Sequence, residues 1–186
     1  MNFENSKRQQ LAMKDNSSIG KWDEKIASLC EKINKKNDYY TTSSCAGRVV
    51  LIKQAEKKQP DLFLFRSHEK ISLTILKKEL EKAKTNKKDM VYFRQEQCIL
   101  HVACSSLEKA QELLDKAKLV GWKNSGIMAS SKRIVLEMRS TEHIELPIIL
   151  KGKLLVSDDY LQVLVKEANK KLEKTWKKIE NLEKII

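Results

Sequence analysis

The 186-residue chain is poor in the residues that mark loop-rich and low-complexity proteins, with only 5 glycines and 2 prolines. This scarcity excludes a collagen-like or low-complexity chain. The sequence also has no apolar run near 18–20 residues, so we expect no transmembrane helix and no membrane partner. Its first ten residues lack the apolar core of a secretory signal. Since 41% of the residues are hydrophobic, we expect one globular, cytoplasmic domain over residues 1–186.

Metal and nucleotide motifs are missing as well. The 4 cysteines and 3 histidines include no Cys-x-x-Cys pair, so we expect no metal site and interpret the cysteines as buried thiols. There is no Gly-x-Gly-x-x-Gly, no P-loop and no Gly-x-Ser-x-Gly. A nucleotide-like cofactor would therefore have to bind by a route other than a Rossmann glycine loop.

Positive charge is what the chain has in excess. Lysine and arginine number 37 against 25 acidic residues, which gives a formal net charge of +12. Such a charge favours polyanionic partners such as nucleic acid. Many of the lysines alternate with glutamate, however, and that pattern is also typical of ordinary exposed helix faces. Charge alone leaves both interpretations open.

The pattern of apolar residues predicts an α+β fold. Short apolar runs such as 49–52 and 62–65 indicate strands, and spacings of three and four indicate helices, the longest over 157–186. Segments 90–94 and 98–104 are expected to pair around a turn at 95–97, and segments 125–129 and 133–139 to form another hairpin. A capping box at Ser105 and Glu108 is expected to open a helix that ends just before Gly121. This order favours a mixed or antiparallel sheet with flanking helices over a doubly wound sheet.

The strongest local feature is a run of four hydroxyl side chains, residues 41–44, which we expect in a loop before a buried strand. The run is followed by Cys45, Gly47 and Arg48. Hydroxyls offer adjacent donors and acceptors, glycine permits a close ligand approach, and an arginine fork suits a carboxylate or a phosphate. The alternative interpretation is a turn whose hydroxyls bind local backbone.

Four further positions are candidates for chemistry. His68 and His101 lie at a strand end and inside a strand pattern, where an imidazole either handles a proton or serves as an ordinary structural group. A second polar loop, 121–127, is either a simple connection or part of a pocket with the hydroxyl segment. Asp23 is either a carboxylate in the first turn of a helix or a ligand group.

Several segments together resemble the tRNA wybutosine-synthesising methyltransferase family, the third-step enzymes of wyosine-type base synthesis. The signature loop of the family is similar to Thr42-Ser43-Ser44-Cys45-Ala46-Gly47-Arg48, although Ala46 stands where the family commonly has serine. The resemblance covers about residues 3–182, and its other segments are Ser18–Asp23, Ile33-Asn34, Phe65–Glu69, Ile99–Val102, Gly121–Ile127, Tyr160 and Ala168–Lys170.

The resemblance implies that this single domain is a methyltransferase domain that uses S-adenosyl-L-methionine. It also implies an α+β fold outside the Rossmann methyltransferases. It implies methylation of the N-4 position of the 4-demethylwyosine-type base at position 37, in the anticodon loop of tRNA-Phe. His101 or His68 would accept the proton that leaves the base, and cofactor or substrate would be bound by Thr42, Ser43, Ser44, Cys45, Gly47, Arg48, Asp23, Ser125 and Gly126. Cys45 is either a covalent nucleophile or a neighbour, since in-line transfer from a sulfonium chiefly needs alignment. Two other classes remain: a non-catalytic RNA-binding module and a small-molecule enzyme for a carboxylate substrate.

Overall fold

A computed structural model describes residues 2–13, 23–54, 61–85, 88–130 and 133–186 of the chain. Within these ranges the chain forms five helices and nine strands, which confirms the α+β class. None of the described helices is both long and apolar enough to cross a membrane. In chain order the elements are α1 Phe3–Ala12, α2 Glu24–Asn34, β1 Tyr39–Cys45, β2 Arg48–Lys53, β3 Phe63–Ser67, α3 Leu73–Ala83, β4 Met90–Glu96, β5 Ile99–Cys104, α4 Leu107–Leu119, β6 Gly126–Ala129, β7 Ile134–Arg139, β8 Ile144–Leu150, β9 Lys153–Leu154 and α5 Asp158–Ile185.

The chain divides into two compact units, each assembled from separate stretches of sequence. The first unit is Met1–Ala46, Gln97–Thr141 and Thr175–Ile186, and the second is Gly47–Glu96 and Glu142–Lys174. Helix α5 therefore contributes residues 158–174 to the second unit and residues 175–185 to the first. The expectation of one methyltransferase domain over residues 1–186 stays a prediction.

The first unit is an antiparallel sheet in the order β1-β5-β7-β6. Alternate residues of β5 and β7, such as Val102 and Leu136, are fully buried in one cluster with residues of α2 and α4. Because strand side chains alternate between the two faces, the remaining residues of these strands lie on the opposite face of the sheet, called the outward face below. The helix members of the cluster are Ile26, Leu29, Cys30, Ile33, Ala110, Leu113, Leu114, Ala117, Ile179 and Leu182.

The second unit is a five-stranded antiparallel sheet in the order β3-β2-β4-β8-β9, combined with α3 and the first part of α5. The apolar stripe expected along the C-terminal helix is buried here at Leu161, Val165, Ala168 and Leu172. Asn169 of α5 accepts from the Ile71 amide at 3.0 Å and donates to the Ile71 carbonyl at 2.8 Å, which fixes the chain just before α3.

The loop predicted over the four hydroxyl residues is wrong, because these residues lie inside β1. Tyrosine and threonine favour the extended backbone, and pairing with β5 satisfies the backbone groups of the segment. The neighbouring helix α2 also binds Thr41, since the side-chain amide of Asn34 donates to the Thr41 hydroxyl oxygen at 3.0 Å. The hydroxyl groups are thus presented from a paired strand and not from a free loop.

Two other local predictions are also wrong. Strands β4 and β5 do not pair with each other, because β4 pairs with β2 and β8 whereas β5 pairs with β1 and β7. The cap of α4 is Ser106, whose hydroxyl accepts from the Lys109 amide at 3.2 Å, while the Ser105 hydroxyl donates to Asp38. The hairpin of β6 and β7 and the positive φ of Gly121 beyond α4 are confirmed.

We predict that the core beneath the outward face dominates the stability of the first unit. Leu136→Ala should lower the free energy of unfolding by about 2–5 kcal/mol, since Leu136 is fully buried between β5 and α4 residues. Leu119→Ala is the matched control, because Leu119 is 80% exposed and its loss should change that free energy by about 0.5 kcal/mol or less. Urea denaturation followed by tryptophan fluorescence measures both, and equal effects of the two changes would contradict the proposed core.

Candidate active site

Four residues form a row across the outward face of the first sheet. Ser43 of β1 lies opposite His101 of β5, His101 lies opposite Glu137 of β7, and Glu137 lies opposite Gly126 of β6. A bulge between Thr41 and Ser43 creates this row. Thr41 pairs with Val102, a core residue, whereas after the bulge Ser43 pairs with His101 and so shares its outward face.

Both ring nitrogens of His101 contact a partner in this row. The Ser43 Oγ lies 2.6 Å from Nδ1, and an oxygen of Glu137 lies 2.7 Å from Nε2. A carboxylate can only accept, so Nε2 carries the proton, and in the neutral imidazole Nδ1 then accepts from the Ser43 hydroxyl. The ring is therefore set to take a proton at Nδ1.

Glu137 is held by a second partner, Arg139, two residues along the same strand and on the same face. The Arg139 Nη2 donates to Oε2 at 3.0 Å, and its Nε lies 3.0 Å from Oε1. Burial raises the pKa of Glu137, but the hydrogen bond from His101 and the Arg139 charge outweigh burial and leave the pKa below its usual value. Glu137 is thus ionised at neutral pH and can orient the imidazole.

A cleft of about 400 Å³ opens beside this row. Thr42, Ser43 and His101 contribute polar groups to its lining, and Met128 and Val135 contribute apolar surface. Apolar surface with a few converging polar groups is typical of small-molecule sites. The cleft can seat a flat ligand next to a group that accepts a proton. Its complete lining is Thr42, Ser43, His101, Met128, Ala129, Ser130, Arg133 and Val135.

Ser44 and Cys45, which follow Ser43, point in different directions. The Ser44 hydroxyl contacts the thiol of Cys30 on the core side, whereas Cys45 pairs with Ile99 and is only partly exposed. Burial raises the pKa of Cys30 to about 12, although the Ser44 hydrogen bond lowers it slightly, so Cys30 stays a thiol at neutral pH. A ligand role for Ser44 and Cys45 stays a prediction.

Asp23 caps helix α2 and ties it to the end of β1. Its Oδ1 accepts from the Lys25 amide at 3.3 Å and its Oδ2 from the Ala46 amide at 3.1 Å. Asp23 is 8% exposed, so these backbone bonds account for its burial. Asp23 is therefore the N-cap of α2, one residue before the first-turn position that the sequence offered as one alternative, and a binding role stays a prediction.

The polar loop before β6 brings Gly126, but not the Ser125 hydroxyl, into the row. Ser125 donates to the Trp122 carbonyl at 2.6 Å and accepts from the Arg139 amide at 3.1 Å, so its hydroxyl is bound to backbone. At Gly126, an added Cβ would meet no atom within 4 Å, which leaves open space next to Glu137.

The remaining candidate residues belong to the second unit. Gly47 has a φ of +94°, a conformation that favours glycine, and it begins this unit. Arg48 of β2 forms an ion pair with Glu96 of β4, and its guanidinium lies 5.0 Å from the centre of the Phe63 ring. His68 follows directly after β3 and is partly buried.

Comparison with known proteins identifies the family. The family model described as Methyltransferase TYW3 matches residues 4–186. The chain belongs to this family. It is 36% identical over 183 residues to a tRNA wybutosine-synthesizing protein 3 homolog of Xenopus laevis, covering 95% of this chain and 71% of the relative. It is 34% identical over 186 residues to the tRNA(Phe) 7-((3-amino-3-carboxypropyl)-4-demethylwyosine(37)-N(4))-methyltransferase of Thermococcus sibiricus, covering 98% and 93%.

A solved structure shares the fold of this TYW3-family methyltransferase. The structure of the PH1069 protein from Pyrococcus horikoshii matches with a TM-score of 0.87 at 30% identity, covering 98% of this chain and 93% of that one. The similarity extends over both antiparallel sheets and agrees with the expectation of a fold other than the Rossmann type.

Sequence reasoning missed Glu137, Arg139 and the cleft residues Met128 and Arg133. Glu137 and Arg139 alternate with the core residues Leu136 and Met138, so the alternation itself marks them as outward-facing. Only the pairing of β5 with β7 brings this carboxylate to His101, and the sequence contains no signal for that pairing.

We predict that Glu137 stabilises the methyltransferase in a pH-dependent way. Because its pKa is lowered in the fold, its contribution is fully present above the ordinary value of 4.5 and is lost as the pH falls through the lowered pKa. Glu137→Gln should therefore lower the free energy of unfolding by about 1.5–3 kcal/mol at pH 7 and by much less in acid.

The control is Glu31→Gln on the exposed surface of α2, which should have little effect at either pH. Urea denaturation of the three proteins between pH 7 and pH 3 provides the comparison. A Glu137→Gln effect of the same size at both ends of that range would argue against a charge-dependent role.

Proposed function

We propose that this chain is an S-adenosyl-L-methionine-dependent methyltransferase that methylates the N-4 position of a 4-demethylwyosine-type base at position 37, in the anticodon loop of tRNA-Phe. The observation that supports this most strongly is the hydrogen-bonded row of Ser43, His101 and Glu137 on the wall of the cleft. The substrate is supported by the names of the two relatives, a tRNA wybutosine-synthesizing protein 3 homolog and a tRNA(Phe) N(4)-methyltransferase. The family match over residues 4–186 supports a single catalytic domain made of both units.

The reaction requires a base and exact alignment of the reacting atoms. When bound, S-adenosyl-L-methionine supplies a methyl group on a positively charged sulfur, whose C–S bond breaks with its electron pair left on sulfur as the new N–C bond forms. The N-4 atom of the substrate must lose a proton in the same process. Holding the acceptor and donor in line supplies much of the rate enhancement in such displacements.

His101 is the residue we assign to the proton. In the neutral ring, Nδ1 accepts from the Ser43 hydroxyl, and Ser43 lines the cleft. Ser43 can take the proton from the base nitrogen while passing its own to Nδ1, and the positive imidazole that results is stabilised by ionised Glu137. Arg139 then acts as a positioning residue, because it holds the Glu137 carboxylate. His68 stays the alternative acceptor.

The residues of the cleft fit the chemical groups of the cofactor. Arg133 offers a guanidinium suited to a carboxylate. The Thr42 hydroxyl donates to the His101 carbonyl at 3.4 Å, so its oxygen can still accept a hydrogen bond from a ligand. Met128 and Val135 provide apolar surface for a flat ring. The cleft serves equally well for the tricyclic base, so cofactor and base divide it between them or one of them occupies it alone.

An anticodon-loop base suits this chain as a substrate. Bases in such loops are already unpaired, so taking one out of its stack costs less free energy than extruding it from a duplex. The formal net charge of +12 favours binding to the RNA backbone. All four cysteines are thiols, which fits the reducing environment of the cytoplasm, where we place the reaction.

We predict that His101→Asn lowers kcat about 100-fold to 10,000-fold, because a general base contributes rate enhancements of about that size. Affinity for S-adenosyl-L-methionine and for tRNA should stay within about twofold of wild type. The measurement is single-turnover methylation of tRNA-Phe that carries the 4-demethylwyosine-type base, with calorimetry for cofactor affinity. His143→Asn is the control, since His143 is exposed and lies outside the cleft, with its Nε2 3.5 Å from a Glu145 oxygen. If His101→Asn kept full activity and His68→Asn were inactive, His68 and not His101 would be the residue that accepts the proton.

We further predict that Cys45→Ser keeps at least about a tenth of wild-type kcat, because methyl transfer to nitrogen needs no covalent enzyme intermediate. Ser43→Ala should lose about 10- to 100-fold, since the hydroxyl that links substrate and His101 is gone. The same single-turnover assay compares the two variants after circular dichroism has verified their fold. An inactive Cys45→Ser beside an active Ser43→Ala would make the thiol the chemical group.

A further inference from the structure

Three arginines from adjacent strands lie on one face of the sheet in the second unit. Arg66 of β3 and Arg94 of β4 both stand opposite Val50 of β2. Arg48 precedes Val50 by two residues on the same strand, so it shares the same face. Phe93 and Gln95 of β4 alternate with Arg94, so they lie on the other face. The three guanidinium groups are therefore collected on one surface, called the arginine face below.

Aromatic rings are interleaved with these arginines. The guanidinium carbon of Arg66 lies 4.3 Å, and that of Arg48 5.0 Å, from the centre of the Phe63 ring. The guanidinium of Arg94 lies 5.7 Å from the Tyr92 ring. Cation–π contact at these distances holds a guanidinium against a ring while its N–H groups can still reach an anion. Phe63 is 37% exposed, so part of its ring surface is open to a ligand.

Glu96 and Glu145 also lie on the arginine face, and each of them orients one of the arginines. Glu96 accepts from Nε of Arg48, and Glu145 accepts from Arg94 at 2.8 Å. A guanidinium has five N–H donors in a planar fork, so one carboxylate does not exhaust it. Arg48 and Arg94 thus keep further N–H donors at fixed positions, where an anion can accept from them.

We infer that the arginine face binds an unpaired stretch of the RNA substrate, with guanidinium groups on phosphates and a base stacked on Phe63. Arginine beside an exposed aromatic ring is the combination by which proteins hold single-stranded nucleic acid. An acidic protein segment would use the charges but gain little from the ring. The inference rests on the proposed function only in taking tRNA as the ligand, since its residues are separate from the cleft described in the first unit.

The test measures binding of tRNA-Phe to the full chain at several salt concentrations. Arg66→Ala should raise the Kd about 5- to 30-fold and should lower the slope of log K against log salt by about 0.7–0.9, the effect of one phosphate contact. Arg66→Lys should keep the slope but still weaken binding, because the charge remains and the planar group is lost. Phe63→Leu should raise the Kd about 5- to 100-fold with the slope unchanged, since a stacking contact is lost.

The control is Lys170→Ala on the exposed part of α5, which removes one positive charge from the same unit. It should change neither the Kd nor the slope beyond about twofold and 0.2 respectively. Circular dichroism and affinity for S-adenosyl-L-methionine verify that each variant is folded. The inference would be overturned if Arg66→Ala and Phe63→Leu both kept the wild-type Kd and slope. It would also be overturned if Lys170→Ala weakened tRNA binding as much as these two changes do.

The outcomes separate this inference from the proposed function. If the wild-type chain methylates the tRNA and the Arg66 and Phe63 variants bind it normally, the RNA-binding role of the arginine face is wrong and the proposed function stands. If the wild-type chain binds tRNA through these residues but transfers no methyl group, the arginine face stands and the proposed function fails. In active wild type, the variants should raise KM for tRNA and leave kcat at saturating tRNA within about twofold.

Discussion

The bulge between Thr41 and Ser43 is the constraint on which the candidate active site depends. Before it, β1 sends Thr41 toward the core; after it, Ser43 lies on the outward face beside His101. A regular strand would place both residues on the same face, because side chains alternate with a period of two. One extra residue in one strand therefore decides whether His101 has a hydroxyl partner on the wall of the cleft.

The row can transfer a proton because one face of its sheet is packed against helices and the other is partly exposed to solvent. The core side is dry and packed with helices, which keeps the strands in register and leaves little freedom to His101 and Glu137. The outward side is partly exposed, with about a quarter of each of these two side chains in contact with solvent. A proton can therefore leave the imidazole, while Arg139 keeps Glu137 ionised and oriented. Rigidity on one side and access on the other are the conditions for proton transfer at a fixed position.

How far the sequence could predict the structure depended on the range of the interactions. The hairpin of β6 and β7, the long helix α5 and the end of α4 at Gly121 follow from patterns within a few residues, and they were predicted correctly. The loop expected over residues 41–44 and the hairpin expected around residues 95–97 were wrong. In both cases the partner strand is distant in sequence, and pairing with it overrode the local preference.

By itself, the sequence determined the α+β class, the basic charge, the absence of a glycine-rich nucleotide loop and the family, because composition, periodicity and the signature segment are readable without coordinates. It also pointed to Ser43 and His101 as candidates. Only the tertiary structure decided that Ser43, His101 and Glu137 contact one another, and that Arg48, Arg66 and Arg94 share a face. The physical reason is that strand register sets which side chains meet, and register is determined by packing between segments far apart in the chain.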